Sequence, residues 1–326
     1  MHAIIPAAGK GTRMRPLTWS QPKVLVRLAG NTMLGHIIDE LTAAGVDHIT
    51  LIVGYLGDEV VEWARKNYPA VNIDFAVQNK INGLASAVYL ASPMTDEGKT
   101  LVVLGDTLFK ADLSLAFNDK SNMIAVKRVE NPKRFGVVVH DGSRVERFVE
   151  KPPEFISDLA IVGIYGFLSG KVLMDSISRL ISSRKKTGGE YQLTDAMQMM
   201  LEAGDPFDCF EIEGWYDCGK PETLLETNRI LLDSRKEFKH KSNADVVIIP
   251  PVSIENNVKI ECSVVGPHVS IASGCKVRNS IITGSIIGCG TNLDNVNIRD
   301  SIIGNDADIS GVAARIIAGS SSRIEI

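Results

Sequence analysis

Hydrophobic and polar positions divide this chain into two patterns, which meet near residue 240. In the first, short apolar runs alternate with helical periods. Ala3-Ile4-Ile5 reads as a buried strand. Met33, Leu34, Ile37, Ile38 and Leu41 recur at helical spacing, predicting a helix from Asn31 to Ala44 with Thr32 as cap and Gly45 as stop. The run Ile49 to Val53 predicts a strand and Asp58 to Asn67 a helix. Asn72 to Val77 predicts a strand, Leu84 to Ala91 a short helix, and Thr100 to Leu104 a continuous apolar strand. This alternation predicts an α/β fold with a Rossmann-like, mostly parallel sheet covered on both faces. The middle differs: Asn122 to Val129, Gly136 to His140, Val145 to Val149 and Leu159 to Phe167 read as strands separated by turns such as Asp141-Gly142. Helices are predicted at Tyr191 to Ala203 and Pro221 to about Asp233, with Met197, Met199 and Met200 as core filling.

From Ala244 onward the period changes. Ile254 and Ile260 are six residues apart, Val265, Ile271 and Val277 repeat that step, and Ile287 and Leu293 repeat it again. Five-residue steps intervene at Ile282 and Ile287. Gly, Asn, Ser and Asp fill the corners. This is the hexapeptide pattern of a left-handed parallel β-helix, whose coils stack to share one apolar interior. The chain of 326 residues is too long for one small core. The expected organisation is a first domain over 1–233, a linker over 234–245 and a β-helix over 246–326. Arg235, Lys236, Lys239 and Lys241 are expected to be solvated linker charges.

A net charge of -4 argues against a nucleic-acid-binding surface, although a local cationic pocket remains compatible with anionic substrates. The five cysteines are scattered without a Cys-x-x-Cys pair, as in a reduced chain without a zinc site, and are expected to be small buried residues. No apolar run is long enough to span a bilayer, and the N-terminus lacks the layout of a signal peptide. The expectation is a cytoplasmic protein with no membrane partner.

The candidate chemistry begins directly after the first strand, at Ala7-Ala8-Gly9-Lys10-Gly11-Thr12-Arg13. Gly9 and Gly11 free the backbone to turn and to aim successive N–H groups at one anion, and Arg13, Arg15 and Lys23 add cations. A P-loop would need Lys-Ser or Lys-Thr after its last glycine, where Thr-Arg stands here. A dinucleotide fingerprint would need glycine where Met14 stands. A bare Gly-x-Gly is equally an ordinary strand-to-helix turn. Ligands on such sheets bind beyond the carboxyl ends of the strands, where the Gly9 loop, Gln78 and Asp106 should all lie.

Gly-x-Gly-Thr-Arg-x-x-Pro-Leu-Thr, from Gly9 to Thr18, followed by Pro22-Lys23, resembles the motif of sugar-1-phosphate nucleotidylyltransferases. With the β-helix, the resemblance covers nearly the whole chain and is nearest to long-form glucose-1-phosphate thymidylyltransferases. It implies that Ala8, Gly9, Gly11 and Thr12 hold a nucleoside triphosphate while Arg13 and Lys23 neutralise phosphate charge. It implies that Gln78, with Gly83-Leu84-Ala85, reads the base; a Gln amide matches the N3–H and O4 of thymine or uracil. It implies Mg²⁺ on Asp106 and Asp217, for which a polar turn and a helix N-cap are the plainer roles. Glu150-Lys151-Pro152 resembles the sugar-phosphate motif, with Gly136, Ile161 and Gly163 lining the pocket; alone it would be a solvated turn. Phe135 departs from the Tyr that some thymidylyltransferases carry there.

The implied substrates are a nucleoside triphosphate, dTTP ahead of UTP, and a sugar-1-phosphate, with glucose-1-phosphate first. The expected assembly is a homo-oligomer. Competing readings are a UTP- or GTP-using relative, a β-helix acyltransferase with His268 as base, and a non-catalytic regulatory homologue. The β-helix is expected to be structural, so that a chain cut near Asp233 keeps the chemistry.

Overall fold

The computed structural model describes residues 1–117, 119–235, 242, 244–311 and 316–325. Most of the predicted linker, including Lys236, Lys239 and Lys241, lies outside the described residues. The chain forms two compact units, Met1–Gly9 with Ile37–Trp215, and Lys10–His36 with Tyr216–Ile326.

In the first unit, nine strands form one sheet. Across it the order is Asn72–Val77, His48–Val53, His2–Pro6, Thr100–Val103, Leu159–Phe167, Asn122–Arg128, Phe207–Glu211, Arg144–Glu150 and Gly136–Asp141. The first four are mutually parallel, as the alternation of strand and helix predicts. Leu159–Phe167 then runs antiparallel to both of its neighbours, which turns the far half into a mixed sheet. The nine residues of Leu159–Phe167 are all buried, consistent with a central strand covered on both faces. One core, including Ile4, Val102, Ile124, Tyr165, Phe207, Met197 and Met200, fills this unit. The buried Met197 and Met200 confirm the core reading of that helix.

Several elements escape the periodic reading, strands Thr107–Lys110 and Gly214–Asp217 among them. Helix Gly170–Ser183 buries Leu173, Met174, Ile177 and Leu180, and Ser169 caps it by accepting the Val172 N–H at 3.3 Å. Strand Phe207–Glu211 is charged at two of its five positions, Asp208 and Glu211, and only Phe207 is fully buried. The predicted Tyr191 helix starts at Leu193 instead. Tyr191 is held outside the helix: its N–H donates to the Asn82 carbonyl at 2.8 Å and its own carbonyl accepts from Ala85 at 3.0 Å. Likewise helix Met33–Ala43 starts after Asn31–Thr32, which pairs with Arg27–Leu28 as a short hairpin; Thr32 Oγ1 still accepts the Gly35 N–H at 2.9 Å.

The second unit contains the left-handed parallel β-helix. Its strands form three parallel stacks beginning at Val246–Ile248, Val252–Ile254 and Lys259–Glu261. Ile254 stacks on Ile271 and Ile287, while Ile260 stacks on Val277 and Leu293, so the six-residue steps are the three sides of each coil. These residues share one apolar interior. Cys275 sits inside it, whereas Cys262, at a corner with φ of 44°, is exposed, contrary to the expectation that all five cysteines are buried. Arg235 is not a purely solvated charge: its guanidinium donates to the Ala29 carbonyl and, at 3.2 Å, to Ser253 Oγ. Among the described residues no helix is long and apolar enough to cross a membrane.

Candidate active site

In the first unit, parallel pairing puts the carboxyl ends of four strands on one edge. Ala7 N–H donates to the Ile52 carbonyl at 2.8 Å, Gly105 N–H to Pro6 at 3.1 Å and Gln78 N–H to Val53 at 2.8 Å. The Gly9 turn, Gln78 and Asp106 therefore leave the sheet at the same edge. The strands approach closely there. A methyl on Gly54 would lie 2.8 Å from the Ala8 methyl, and one on Gly105 would lie 2.8 Å from the Pro6 carbonyl oxygen. Gly9 is different: an added methyl would meet nothing within 4 Å. The space beside the Gly9 backbone is thus open within the described residues.

The proposed sugar-phosphate residues Gly136, Glu150, Lys151 and Ile161 come together. A methyl on Gly136 would lie 3.1 Å from Glu150 Oε2 and 3.3 Å from Ile161 Cδ1, so glycine keeps this corner open. Glu150 ends strand Arg144–Glu150, and its side chain is largely buried, beside the exposed Lys151 ammonium at 3.2 Å. Lys151 has φ of 43°, and its N–H donates to the Phe135 carbonyl at 3.1 Å.

Sequence reasoning missed Thr194, whose hydroxyl donates to Glu150 Oε2 at 2.9 Å from the first turn of helix Leu193–Glu202. The next residue, Asp195, has a buried Oδ2 without a hydrogen-bond partner. The available signal was two polar residues, Thr194-Asp195, in the first turn of a helix that also carries Ala196, Met197, Met199, Met200 and Leu201. Burial first, and then the Glu150 charge, push the Tyr165 phenol well above its usual range, so it stays protonated. Gly83, with φ of 110°, abuts the Tyr191 backbone, where a methyl would lie 2.4 Å from the carbonyl oxygen. Thus Asn82 to Ala85 is fastened to the segment that leads into Thr194.

In the second unit, the loop after Gly9 is cross-tied. Gly11 has φ of 59°, and its carbonyl accepts from Thr18 Oγ1 at 2.7 Å and from Met14 N–H at 2.9 Å. A methyl on Gly11 would lie 2.9 Å from Lys23 Cβ and 3.0 Å from Thr18 Cγ2. Thr12 and Arg13 belong to the single 3-10 turn Thr12–Met14, with Met14 buried and Arg13 exposed. Lys23 is only 7% exposed. Arg13 and Asp217 converge on Gly219: a methyl there would lie 3.0 Å from Arg13 Nη2 and 2.7 Å from Asp217 Oδ1. Asp217 Oδ1 accepts the Gly219 N–H at 2.8 Å. It does not cap helix Pro221–Asp233, whose N-cap is Lys220. The N-cap alternative is therefore removed.

Among the described residues no three His, Cys, Asp or Glu side chains gather as a metal cage. Asp106 in the first unit and Asp217 in the second are each partly exposed carboxylates; taken singly, each is the kind of hard oxygen donor that Mg²⁺ takes.

Residues 2–234 match the family model for nucleotidyl transferases. The chain is 31% identical, over its full length and that of the relative, to the low-salt glycan biosynthesis nucleotidyltransferase Agl11 of Haloferax volcanii. It is 28% identical to a glucose-1-phosphate thymidylyltransferase of Streptomyces griseus, covering all of this chain and 99% of the other. It is also 31% identical to the UTP–glucose-1-phosphate uridylyltransferase AglF of Haloferax volcanii, over 71% of this chain and 96% of that one. Among solved structures, a Bacillus anthracis protein assigned as a glucose-1-phosphate thymidylyltransferase, crystallised with sucrose, superposes with a TM-score of 0.63. That match has 25% identity and covers 73% of this chain and 98% of the other.

Proposed function

The chain belongs to the nucleotidyl transferase family, and from that premise we propose that it joins a nucleoside triphosphate to a sugar-1-phosphate. A phosphate oxygen of the sugar-1-phosphate attacks the α-phosphorus, the α–β bridging P–O bond breaks, and pyrophosphate leaves. No general base is needed, because the nucleophile is already anionic. The protein's work is positioning and charge stabilisation.

The observation that carries this reading is the corner of Gly136, Glu150, Ile161 and Thr194 with Lys151 beside it. The Glu150 carboxylate, oriented by Thr194, accepts sugar hydroxyls, and Lys151 holds the phosphate. Ala8, Gly9, Gly11 and Thr12 take the triphosphate, and Arg13 and Lys23 support the leaving pyrophosphate. Asp106 and Asp217 are the carboxylates we assign to Mg²⁺, which supplies charge neutralisation on phosphate oxygens when bound. Gln78 with Gly83 reads the base. We assign dTTP and glucose-1-phosphate first, on the Gly83-Leu84-Ala85 resemblance, with UTP next.

His268, the base of an acyltransferase reading, instead joins Asp233 at the end of helix Pro221–Asp233, with Nε2 2.8 Å from Oδ1. The assembly we propose is a homo-oligomer in the cytoplasm; light scattering that gives a monomer at working concentration overturns the oligomer. The deciding experiment is pyrophosphate release across a matrix of dTTP, UTP, GTP, ATP and CTP against several sugar-1-phosphates. Release with none of the pairs overturns the proposed reaction, and release led by GTP or ATP overturns only the pyrimidine assignment.

A further inference from the structure

The hairpin that follows the phosphate loop and its 3-10 turns is bonded to residues of the β-helix. Arg27–Leu28 and Asn31–Thr32 are joined by Ala29 and Gly30, with φ of 45° and 81°, the left-handed pair of a tight two-residue turn. Alanine is a poor residue for that conformation, and here its backbone is held on both sides. Its N–H donates to Asn228 Oδ1 at 2.8 Å and to Ser270 Oγ at 3.1 Å, while its carbonyl accepts from Arg235. Asn228 and Ser270 are themselves joined at 2.6 Å, and both are buried. Arg27 Nε donates to Glu255 Oε1 at 2.7 Å, in an ion pair whose side chains are only 25% and 17% exposed. Glu255 is fixed in turn by the Ser273 N–H at 3.2 Å.

A second attachment lies nearer the loop, three residues after Arg13. Gly319, in the last coil of the β-helix, abuts Pro16; a methyl there would lie 3.3 Å from both Pro16 Cβ and the Pro16 carbonyl oxygen. Between Pro16 and Arg27 lie Thr18 and Lys23, the two residues that wedge Gly11.

We propose that the β-helix is a positioning element for nucleotidyl transfer. By clamping Pro16 from Gly319 and Arg27–Ala29 from Glu255 and Ser270, it fixes the segment between the two clamps, whose Thr18 and Lys23 brace Gly11 of the phosphate loop. This rests on the proposed reaction and departs from the expectation that the chemistry is indifferent to the β-helix. Glu255 and Gly319 are positioning residues: they reach the loop through Arg27 and Pro16 and are assigned no contact with substrate. The consequence is selective, because a loosened loop misplaces the triphosphate while the Glu150 corner is untouched.

The test uses the full chain with Glu255→Gln, Gly319→Ala and the charge exchange Arg27→Glu/Glu255→Arg. For each, kcat/KM for the nucleoside triphosphate and KM for the sugar-1-phosphate are measured. Glu255→Gln and Gly319→Ala are expected to lower the first at least about fivefold, because small misplacements of reacting groups are costly. The second should stay within about twofold, and the charge exchange should recover most of the loss. A readout independent of turnover is the fluorescence anisotropy of Trp19, an exposed residue between the clamps, with Trp63 and Trp215 replaced by Phe. It should fall in Glu255→Gln and Gly319→Ala and return in the charge exchange. Unchanged anisotropy, or equal losses for both substrates without recovery, overturns the positioning role. A wild-type chain that releases no pyrophosphate overturns the reaction instead, and the anisotropy still decides the clamp.

Discussion

Gly9 and Gly11 stand two residues apart, and the structure predicts opposite outcomes when each becomes alanine. At Gly11 the backbone φ of 59° costs an alanine roughly 1–2 kcal/mol. The new methyl would also lie 2.9 Å from Lys23 Cβ, an atom that no side-chain rotation can move away. Overpacking of this kind adds about 1–3 kcal/mol. Together these destabilise by about 2–5 kcal/mol, or roughly 5–15 °C in Tm for a unit of this size. At Gly9 the methyl enters open space and φ lies outside the left-handed region, so stability should change by no more than about 0.5 kcal/mol. If the triphosphate packs on that backbone, the same methyl occupies its place. A clash worth about 1–3 kcal/mol lowers kcat/KM for the nucleoside triphosphate by about one to two decades. Thermal melts and pyrophosphate-release kinetics on the two variants separate the effects. Gly9→Ala with wild-type kinetics would refute the assignment of that open space to a ligand. Gly11→Ala with an unchanged melt would refute the steric argument.

Other expectations are more direct. Asp106→Asn and Asp217→Asn should each lower kcat by about a hundredfold or more with the fold retained, as loss of charge stabilisation does; near-normal turnover of both at limiting Mg²⁺ would reject the metal assignment. Thr194→Val removes a hydrogen bond to a carboxylate worth about 1.5–3 kcal/mol, so kcat/KM for the sugar-1-phosphate should fall at least about tenfold while the KM for the triphosphate holds, and an equal loss for both substrates would contradict the assignment. Wild-type kcat/KM should favour dTTP or UTP over ATP and GTP by at least about tenfold, since an unpaired buried amide costs roughly 1–3 kcal/mol; Gln78→Ala should narrow that preference. His2 is buried against His48, which lowers its pKa from 6.5 to about 4, through burial first and the neighbouring imidazole second. Protonation therefore favours the unfolded chain: the contribution is full above pH 6.5 and is lost as pH falls towards 4. Urea melts of His2→Gln should show a shallower decline over that window, and an identical decline would contradict this account.

What the sequence disclosed follows from the kind of signal each feature left. The parallel strands at the amino end are continuous apolar runs flanked by helical periods, so the shared edge of Gly9, Gln78 and Asp106 was legible before any coordinates. The β-helix was legible because Ile254, Ile271 and Ile287 must repeat for the coils to stack. Phe207–Glu211 was not, because only its first residue is fully buried and a half-polar strand of five residues leaves too short a period. Thr194 was hidden for a different reason: its bond to Glu150 spans 44 residues of chain, and a threonine in the first turn of a helix has an ordinary local explanation. Arg27 and Glu255 are further apart still, separated by 228 residues, and neither belongs to a motif. Local pattern thus reports strands, coils and residues that meet a ligand through a short motif. It is silent on residues whose partner is a distant part of the same chain, and the clamp around Pro16 and Ala29 is made entirely of such pairs. A test of that clamp is therefore a test of what tertiary structure adds to a site whose motif residues were already in view.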